Sequence, residues 1–79
     1  MHKIAKTKLE QWRQANEISY LELADRLGVS RSSAYRLCHD QQGISAKTAL
    51  AIETITNRWL TGATYRLPPD HVDQLQRAG

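Results

Sequence analysis

The segment 28–40, GVSRSSAYRLCHD, combines many hydrogen-bonding side chains with few apolar ones. If it is helical, its apolar residues share one face at spacings of three and four residues, and these are Ala34, Leu37 and Cys38. The opposite face then carries Ser32, Arg36 and His39, with Tyr35 on its flank. Guanidinium and hydroxyl groups on one side of a helix can donate hydrogen bonds to an external ligand. This face is therefore the first candidate for a functional surface.

Other kinds of chemistry lack a matching pattern in the sequence. The serines have no histidine at a catalytic spacing, and Gly43 and Gly62 do not form a phosphate-binding loop. The histidines are scattered without the spacing of metal ligands: His2, His39 and His71. Cys38 is the only cysteine, which excludes a disulfide within the chain and a four-cysteine zinc site. We predict a protein that is not an enzyme and needs no metal or cofactor.

Length and charge narrow the class of protein further. The 79 residues suffice for one small domain, which we place at 1–79 with a core at about 7–56 and a tail at 57–79. The sequence lacks the continuous apolar stretch of a secretion signal or a membrane span, so we expect a cytoplasmic protein. A net charge of +3 suits an anionic partner such as nucleic acid but does not require one.

Two helices are predicted before this segment. The first, around KTKLEQWRQANE, has an apolar stripe of Ala5, Leu9 and Trp12. In the second, SYLELADRLG, Ser19 is the N-cap and Glu22 stands at the capping-box position three residues later. Its buried stripe is Leu23, Ala24 and Leu27. Gly28 ends this helix, because glycine adopts a positive φ and lets the chain turn sharply into a third helix capped by Ser30.

The tail, NRWLTGATYRLPPDHVDQLQRAG, is less regular. A short strand is allowed by the alternation of Ala63, Tyr65 and Leu67. Pro69 or Asp70 can start a last short helix that bears Val72 and Leu75.

The preceding helix, within DQQGISAKTALAIETIT, has a second apolar side that earlier helices cannot fully cover, formed by Ala51 and Ile55. Either the tail folds over this side or a second subunit does. The contacts expected in both cases are Ile55, Trp59, Leu60 and Tyr65.

The stretch LELADRLGVSRSSAYRL resembles the helix-turn-helix of the lambda repressor and Cro family. Ala24 stands four residues before Gly28 and Ala34 six after it, as in that family. A small residue at Ala24 lets the two helices cross closely, and Ala34 and Leu37 pack the second helix onto the first. The resemblance extends over about residues 7–56. It implies an all-α domain of four to five short helices with an irregular C-terminal tail.

The segment QGISAKTALAIE is similar to two branches of this family. Gly43 and Ser45 resemble the loop and N-cap of the family's fourth helix, with Ile44, Ala49 and Ile52 closing the core. Short phage and prophage regulators of the Cro-like and YdaS-like kinds have a comparable stretch. HigA-type antitoxins have one as well, so the subfamily stays open.

The resemblance also implies an interface with double-stranded DNA. The positions that read base edges in this family correspond to Arg31, Ser32 and Arg36. Tyr35 either touches a phosphate or a thymine methyl group, or packs against the helix. Contacts to the DNA backbone are implied for Tyr20, Ser30, Ser33, Gln42, Ser45 and Lys47. Tyr20 stands where the family usually carries glutamine.

These features predict a small transcriptional regulator that binds DNA. The main hypothesis is a homodimeric repressor on a palindromic operator. The alternative is an antitoxin that binds its operator and also neutralises a toxin protein.

Overall fold

The computed structural model describes residues 5–69 and contains four α-helices in this range. They are α1 (Lys8–Ala15), α2 (Tyr20–Leu27), α3 (Arg31–Cys38) and α4 (Ala46–Ile55). Residues 5–69 include no strand, so the predicted all-α class is confirmed. Within the same range no helix has the length and apolar character needed to cross a membrane. The predicted helix bearing Val72 and Leu75 lies outside the described residues.

Each helix begins at a hydroxyl side chain that accepts a hydrogen bond from the backbone N–H three residues later. The four N-caps are Thr7, Ser19, Ser30 and Ser45. Each replaces an acceptor that the first turn of a helix lacks. The capping box predicted at Glu22 forms only in part. Ser19 Oγ accepts from the Glu22 amide, whereas the Glu22 carboxylate pairs with Arg26 Nη2 at 2.7 Å, one turn further on.

The turn between α2 and α3 depends on Gly28. Its φ of 73° and ψ of 33° lie in the left-handed region, as predicted. This conformation lets the amide of Val29 donate to the carbonyl of Ala24 at 3.0 Å, which closes the end of α2. Ala24 is buried between the helices. The close crossing of α2 and α3 therefore rests on a glycine and a small side chain.

The core lies between the helices and the tail. Its buried hydrophobic residues are Leu9, Ile18, Leu23, Ala24, Leu27, Ala34, Leu37, Cys38, Ile52, Leu60 and Tyr65. The predicted apolar stripes of α2 and α3 are buried in full. In α1, Leu9 is buried and Trp12 packs against the core from its edge. The second buried side chain of α1 is a carboxylate, Glu10, which no apolar pattern predicted.

The tail folds back over α1 and α4. The prediction of a strand over 63–67 is wrong. The chain makes a turn there, because the carbonyl of Thr61 accepts hydrogen bonds from the amides of Thr64 and Tyr65. Leu60 and Tyr65 are buried inside the same chain. The carbonyls of Tyr65 and Leu67 accept from two amides of the first turn of α1. Contacts within the chain therefore account for Leu60 and Tyr65.

Three further apolar residues of α4 and the tail are not fully buried. Ala51 and Ile55 are partly buried against the core. The indole of Trp59 keeps 46% of its surface exposed.

Candidate nucleic-acid interface

The front of α3 forms one wall of an open groove. The groove is lined by Tyr20, Arg31, Ser32, Tyr35, Arg36 and Gln41. The first helical residue of α2, four side chains of α3 and one residue of the following loop thus meet at one surface. All four residues proposed to read bases line this groove.

The two arginines of the groove are available to a ligand. Arg31 and Arg36 are exposed. Neither guanidinium has an ion-pair partner among residues 5–69. Each guanidinium carries five N–H donors in a rigid fork that matches paired acceptors. The groove therefore presents positive charge and guanidinium N–H groups that can donate hydrogen bonds to a ligand.

Tyr35 combines the two roles that the sequence left open. Its ring centroid lies 4.2 Å from that of His39 and 5.2 Å from that of Tyr20, so one side packs against the protein. The side chain still exposes 41% of its surface. Packing and contact with a ligand are therefore compatible at this position.

Tyr20 lines the groove but directs its hydroxyl into the protein. Its Oη donates to the Glu10 carboxylate at 3.0 Å and lies 3.0 Å from His39 Nε2. The Arg13 guanidinium covers the Tyr20 ring at 4.0 Å from its centroid. Burial, followed by the charge of Glu10 and its hydrogen bond, raises the pKa of Tyr20 to about 12. The ring faces the groove, whereas the hydroxyl is already hydrogen-bonded within the protein.

Glu10 is the residue that sequence reasoning missed. Its side chain is 1% exposed and accepts hydrogen bonds from Arg13 Nε at 2.8 Å, Arg13 Nη2 at 2.7 Å and Gln14 Nε2 at 2.9 Å. Burial raises the pKa of this carboxyl, but the bonds from Arg13, Gln14 and Tyr20 and the charge of Arg13 outweigh it and leave the pKa below its usual value. The buried group is thus an ionised carboxylate.

A sequence signal for this cluster does exist. Arg13 and Gln14 follow Glu10 by three and four residues, a spacing that brings side chains together on a helix. On a solvated helix the same spacing gives an ordinary surface ion pair. That the Glu10–Arg13 pair is buried becomes evident only in the tertiary structure, in which Tyr20 packs over the pair.

Of the residues implied in backbone contacts, Tyr20 alone lines the groove. Ser30 Oγ and Ser45 Oγ serve as N-caps, so both accept a hydrogen bond from their own helix. Lys47 is exposed in the first turn of α4, and Ser33 is half-buried. In the loop, Gln41 reaches the groove, whereas the carbonyl of Gln42 accepts from the Tyr65 hydroxyl at 3.3 Å.

The tail contacts the loop between α3 and α4. Arg66 Nη2 lies 2.8 Å from Asp40 Oδ1, and Tyr65 holds Gln42. The loop between α3 and α4 is thereby joined to the tail by two side-chain contacts. The tail has a structural link to the candidate interface although it does not line the groove.

Metal binding and thiol chemistry gain no support from the arrangement. Within residues 5–69 no three His, Cys, Asp or Glu side chains are grouped in a way that could hold a metal ion. Cys38 is fully buried, and burial raises the pKa of its thiol well above the usual range. A buried neutral thiol acts as a small apolar side chain in the core.

Comparison with known proteins bears on the same part of the chain. A helix-turn-helix family model matches residues 9–60. This span contains all but the first residue of the four helices and covers well over half of the 79 residues. No match is found among curated proteins or among solved structures.

Proposed function

Since this chain belongs to the helix-turn-helix family of the lambda repressor type, we propose that it is a dimeric repressor that binds a specific operator in double-stranded DNA. The observation that carries the proposal is the groove in front of α3. It gathers two exposed guanidinium groups, a serine hydroxyl and a half-exposed phenol on one helix face. An α-helix of this kind fits the major groove of B-DNA, where base edges present a distinct pattern of donors and acceptors.

Four side chains read the bases in this mechanism. Arg31 and Arg36 each direct a guanidinium fork at the O6 and N7 acceptors of a guanine. Ser32, between them, donates or accepts one further bond. Tyr35 contacts a thymine methyl group with its exposed edge. The preferred operator is accordingly rich in guanine at the positions facing α3.

Backbone contacts orient the domain on the duplex. We assign these to Ser30, Ser33, Gln42, Ser45 and Lys47. Tyr20, also expected here, is left out because its hydroxyl already donates to Glu10. Lys47 contributes its charge, and the amides in the first turn of α4 point toward an approaching phosphate. Ser30 contributes a hydroxyl hydrogen, because its oxygen already accepts from its own helix. The Ser45 hydroxyl donates to Thr48 Oγ1 at 3.1 Å, so it must leave that partner to donate to a phosphate. Such contacts set affinity and its salt dependence and carry no sequence information.

Dimerisation follows from the size of the reading surface. One 79-residue domain contacts only a few base pairs, so a specific site requires two copies on a two-fold symmetric operator with half-sites about 34 Å apart. Trp59 supports a contact between copies, because it is exposed next to the partly buried Ile55 side of α4. We assign the chain as one domain that acts in the cytoplasm on a phage, prophage or self-encoded promoter.

An antitoxin is the second candidate function. Its supporting observation is apolar surface outside the groove: Leu50 and Trp59 are both large, exposed and absent from the groove lining. A toxin protein can cover such surface while α3 binds the operator. Co-purification with the product of a neighbouring gene favours the antitoxin, whereas a homodimer alone favours the repressor.

Selection from random double-stranded DNA tests the proposed function directly. The selected sequence is expected to be palindromic, and sedimentation should give two protein chains per duplex. Arg36→Ala is expected to cost about 1–3 kcal/mol of binding on the selected site and to relax preference at one base position per half-site. A clean one-to-one complex on an asymmetric site overturns the dimer.

Lys47→Ala is the matched control for a phosphate contact. It is expected to weaken binding to selected and scrambled duplexes equally and to flatten the slope of log affinity against log salt by about one unit. If Arg36→Ala behaves like Lys47→Ala on both duplexes, α3 does not read sequence.

A further inference from the structure

A chain of contacts joins the buried carboxylate of Glu10 in α1 to the half-exposed ring of Tyr35 in α3. The intermediate members are the Tyr20 hydroxyl and the His39 ring. We propose that Tyr20 and His39 are positioning residues that hold the Tyr35 ring in the orientation in which it reads a base. This inference rests on the proposed function, since it concerns how the reading surface is held.

The inner end of the chain is firmly anchored. The Glu10 carboxylate is held by three donors on its own helix, two from Arg13 and one from Gln14. Arg13 is fixed in turn, because its Nη1 donates to the carbonyl of Ile18 at 2.7 Å. The Tyr20 ring lies against this guanidinium and its hydroxyl against the carboxylate. Tyr20 therefore has little freedom to rotate.

The proton positions follow from the number of donors. A phenol has one proton, and an ionised carboxylate attracts it more strongly than an imidazole nitrogen does. The Tyr20 hydroxyl therefore donates to Glu10. The 3.0 Å contact with His39 is then a bond in which Nε2–H donates to Tyr20 Oη. This places a proton on Nε2 of His39 and restrains the plane of its ring.

The outer end of the chain is a two-sided aromatic contact. The rings of Tyr35 and His39 lie 4.2 Å apart at an angle of 31°, close to stacking. The rings of Tyr35 and Tyr20 lie 5.2 Å apart at 60°, a tilted contact. Because both neighbours are fixed by hydrogen bonds, they limit the orientations open to Tyr35 before DNA is bound.

A held ring changes recognition in a specific way. A side chain that is ordered in the free protein loses less conformational freedom on binding, which raises affinity for the duplex that suits its orientation. A ring free to rotate accepts several bases at the same position. The contact chain is therefore expected to act on base preference at the position that Tyr35 faces, and not on backbone binding.

The test is a double-mutant cycle on base preference. Tyr20→Phe keeps the ring and removes the hydroxyl, so it loses the contacts to Glu10 and His39 while retaining those to Arg13 and Tyr35. Three variants of the whole chain are compared with wild type: Tyr20→Phe, Tyr35→Ala and the double variant. Binding is measured on the selected duplex and on duplexes that differ from it by one base pair. Tyr20→Phe should reduce discrimination roughly three- to tenfold at the base positions that Tyr35→Ala also relaxes. In the Tyr35→Ala background it should cause no further reduction.

Tyr65→Phe is the matched control. It also removes one phenolic hydroxyl bond, to the carbonyl of Gln42, but lies outside the contact chain. It should lower the melting temperature and leave base preference unchanged, and any loss of affinity through Gln42 should be equal on all duplexes. If Tyr20→Phe does not fold, His39→Phe cuts the same Tyr20–His39 contact while leaving the bonds to Glu10 intact, and the cycle is run with that variant.

The outcomes separate this inference from the proposed function. Equal effects of Tyr20→Phe with and without Tyr35, or unchanged base preference, overturn the positioning role while specific binding by the wild type stands. Wild-type protein with no base preference at any position overturns the proposed function, and the inference falls with it.

Discussion

Arg13 and Arg36 are the same residue type, and each lies on an eight-residue helix. Arg13 directs Nε and Nη2 at Glu10 and Nη1 at the carbonyl of Ile18. Arg36 is exposed and has no ion-pair partner within residues 5–69. The donors of one guanidinium are satisfied inside the protein, and those of the other are left for a ligand.

This difference shows that a charged residue acquires its role from its partners. A buried, paired guanidinium contributes to the stability of the fold, because removing its partner leaves an uncompensated buried charge. An unpaired one on the surface contributes little to folding and much to recognition. Residue type does not distinguish the two cases, and the spacing of Glu10 and Arg13 by itself is also that of a surface ion pair.

The largest expected effect is at the buried partner of Arg13. Glu10→Gln removes the carboxylate charge and should lower the free energy of unfolding by about 3 kcal/mol, the lower end of the range for breaking a buried pair, because Arg13 keeps 15% of its side chain exposed. Urea denaturation measures this. Glu22→Gln is the control, since Glu22 pairs with Arg26 at the same 2.7 Å but both side chains are about half exposed; it should cost about 0.3–0.5 kcal/mol. Equal losses would remove the distinction between buried and exposed pairs.

Acid should break the same pair in the wild type. The folded protein lowers the pKa of Glu10, so the ionised form adds stability above the usual glutamate pKa of about 4.3. That contribution is lost as the pH falls through the lower pKa of the folded state. As the pH falls below about 4.3, wild type should therefore lose stability more steeply than Glu10→Gln, measured as unfolding free energy against pH. Parallel curves would show that Glu10 has the same pKa folded and unfolded.

An intermediate effect is expected at the turn that sets α3, and with it Arg36, against α2. Gly28→Ala should destabilise by about 1 kcal/mol, because a Cβ meets open space at Gly28 but the φ of 73° strains any L side chain. Gly43→Ala is the matched control: its Cβ also meets open space, and its φ is not positive. It should be neutral or stabilise by up to about 1 kcal/mol through the unfolded chain. Thermal melts of both variants that shift in the same direction would contradict the role given to φ.

The smallest expected effect on stability is at Arg36 itself. Arg36→Ala removes an exposed side chain without an ion-pair partner in the described part of the chain, so the unfolding free energy should stay within about 0.5 kcal/mol of wild type. Urea denaturation of the variant used for DNA binding provides the measurement. A loss above about 1 kcal/mol would mean that Arg36 also holds the fold, and its binding defect could no longer be assigned to base contacts.

The local parts of the fold were accessible from the sequence. The caps at Ser19 and Ser30, the turn at Gly28 and the apolar back of α3 each depend on residues no more than four positions apart. The four proposed base-reading side chains line one groove. Helical spacing alone predicts a shared face for Ser32 and Arg36, with Tyr35 on its flank. The strand predicted over 63–67 failed because alternation is a weak signal over three residues, and hydrogen bonds to Thr61 favour a turn there.

What the sequence alone determined is therefore the set of described helices, the turn between α2 and α3 and the polar front of α3, because caps, φ preferences and helical periodicity act over a few residues. The tertiary structure decided which charges are buried, which aromatic rings are held and what covers α4. Glu10 meets Tyr20 across 10 positions, Tyr20 meets His39 across 19, and Tyr65 meets Gln42 across 23. Contacts of this separation form only when the helices pack together, and that packing decides whether the Glu10–Arg13 pair is buried or exposed to solvent.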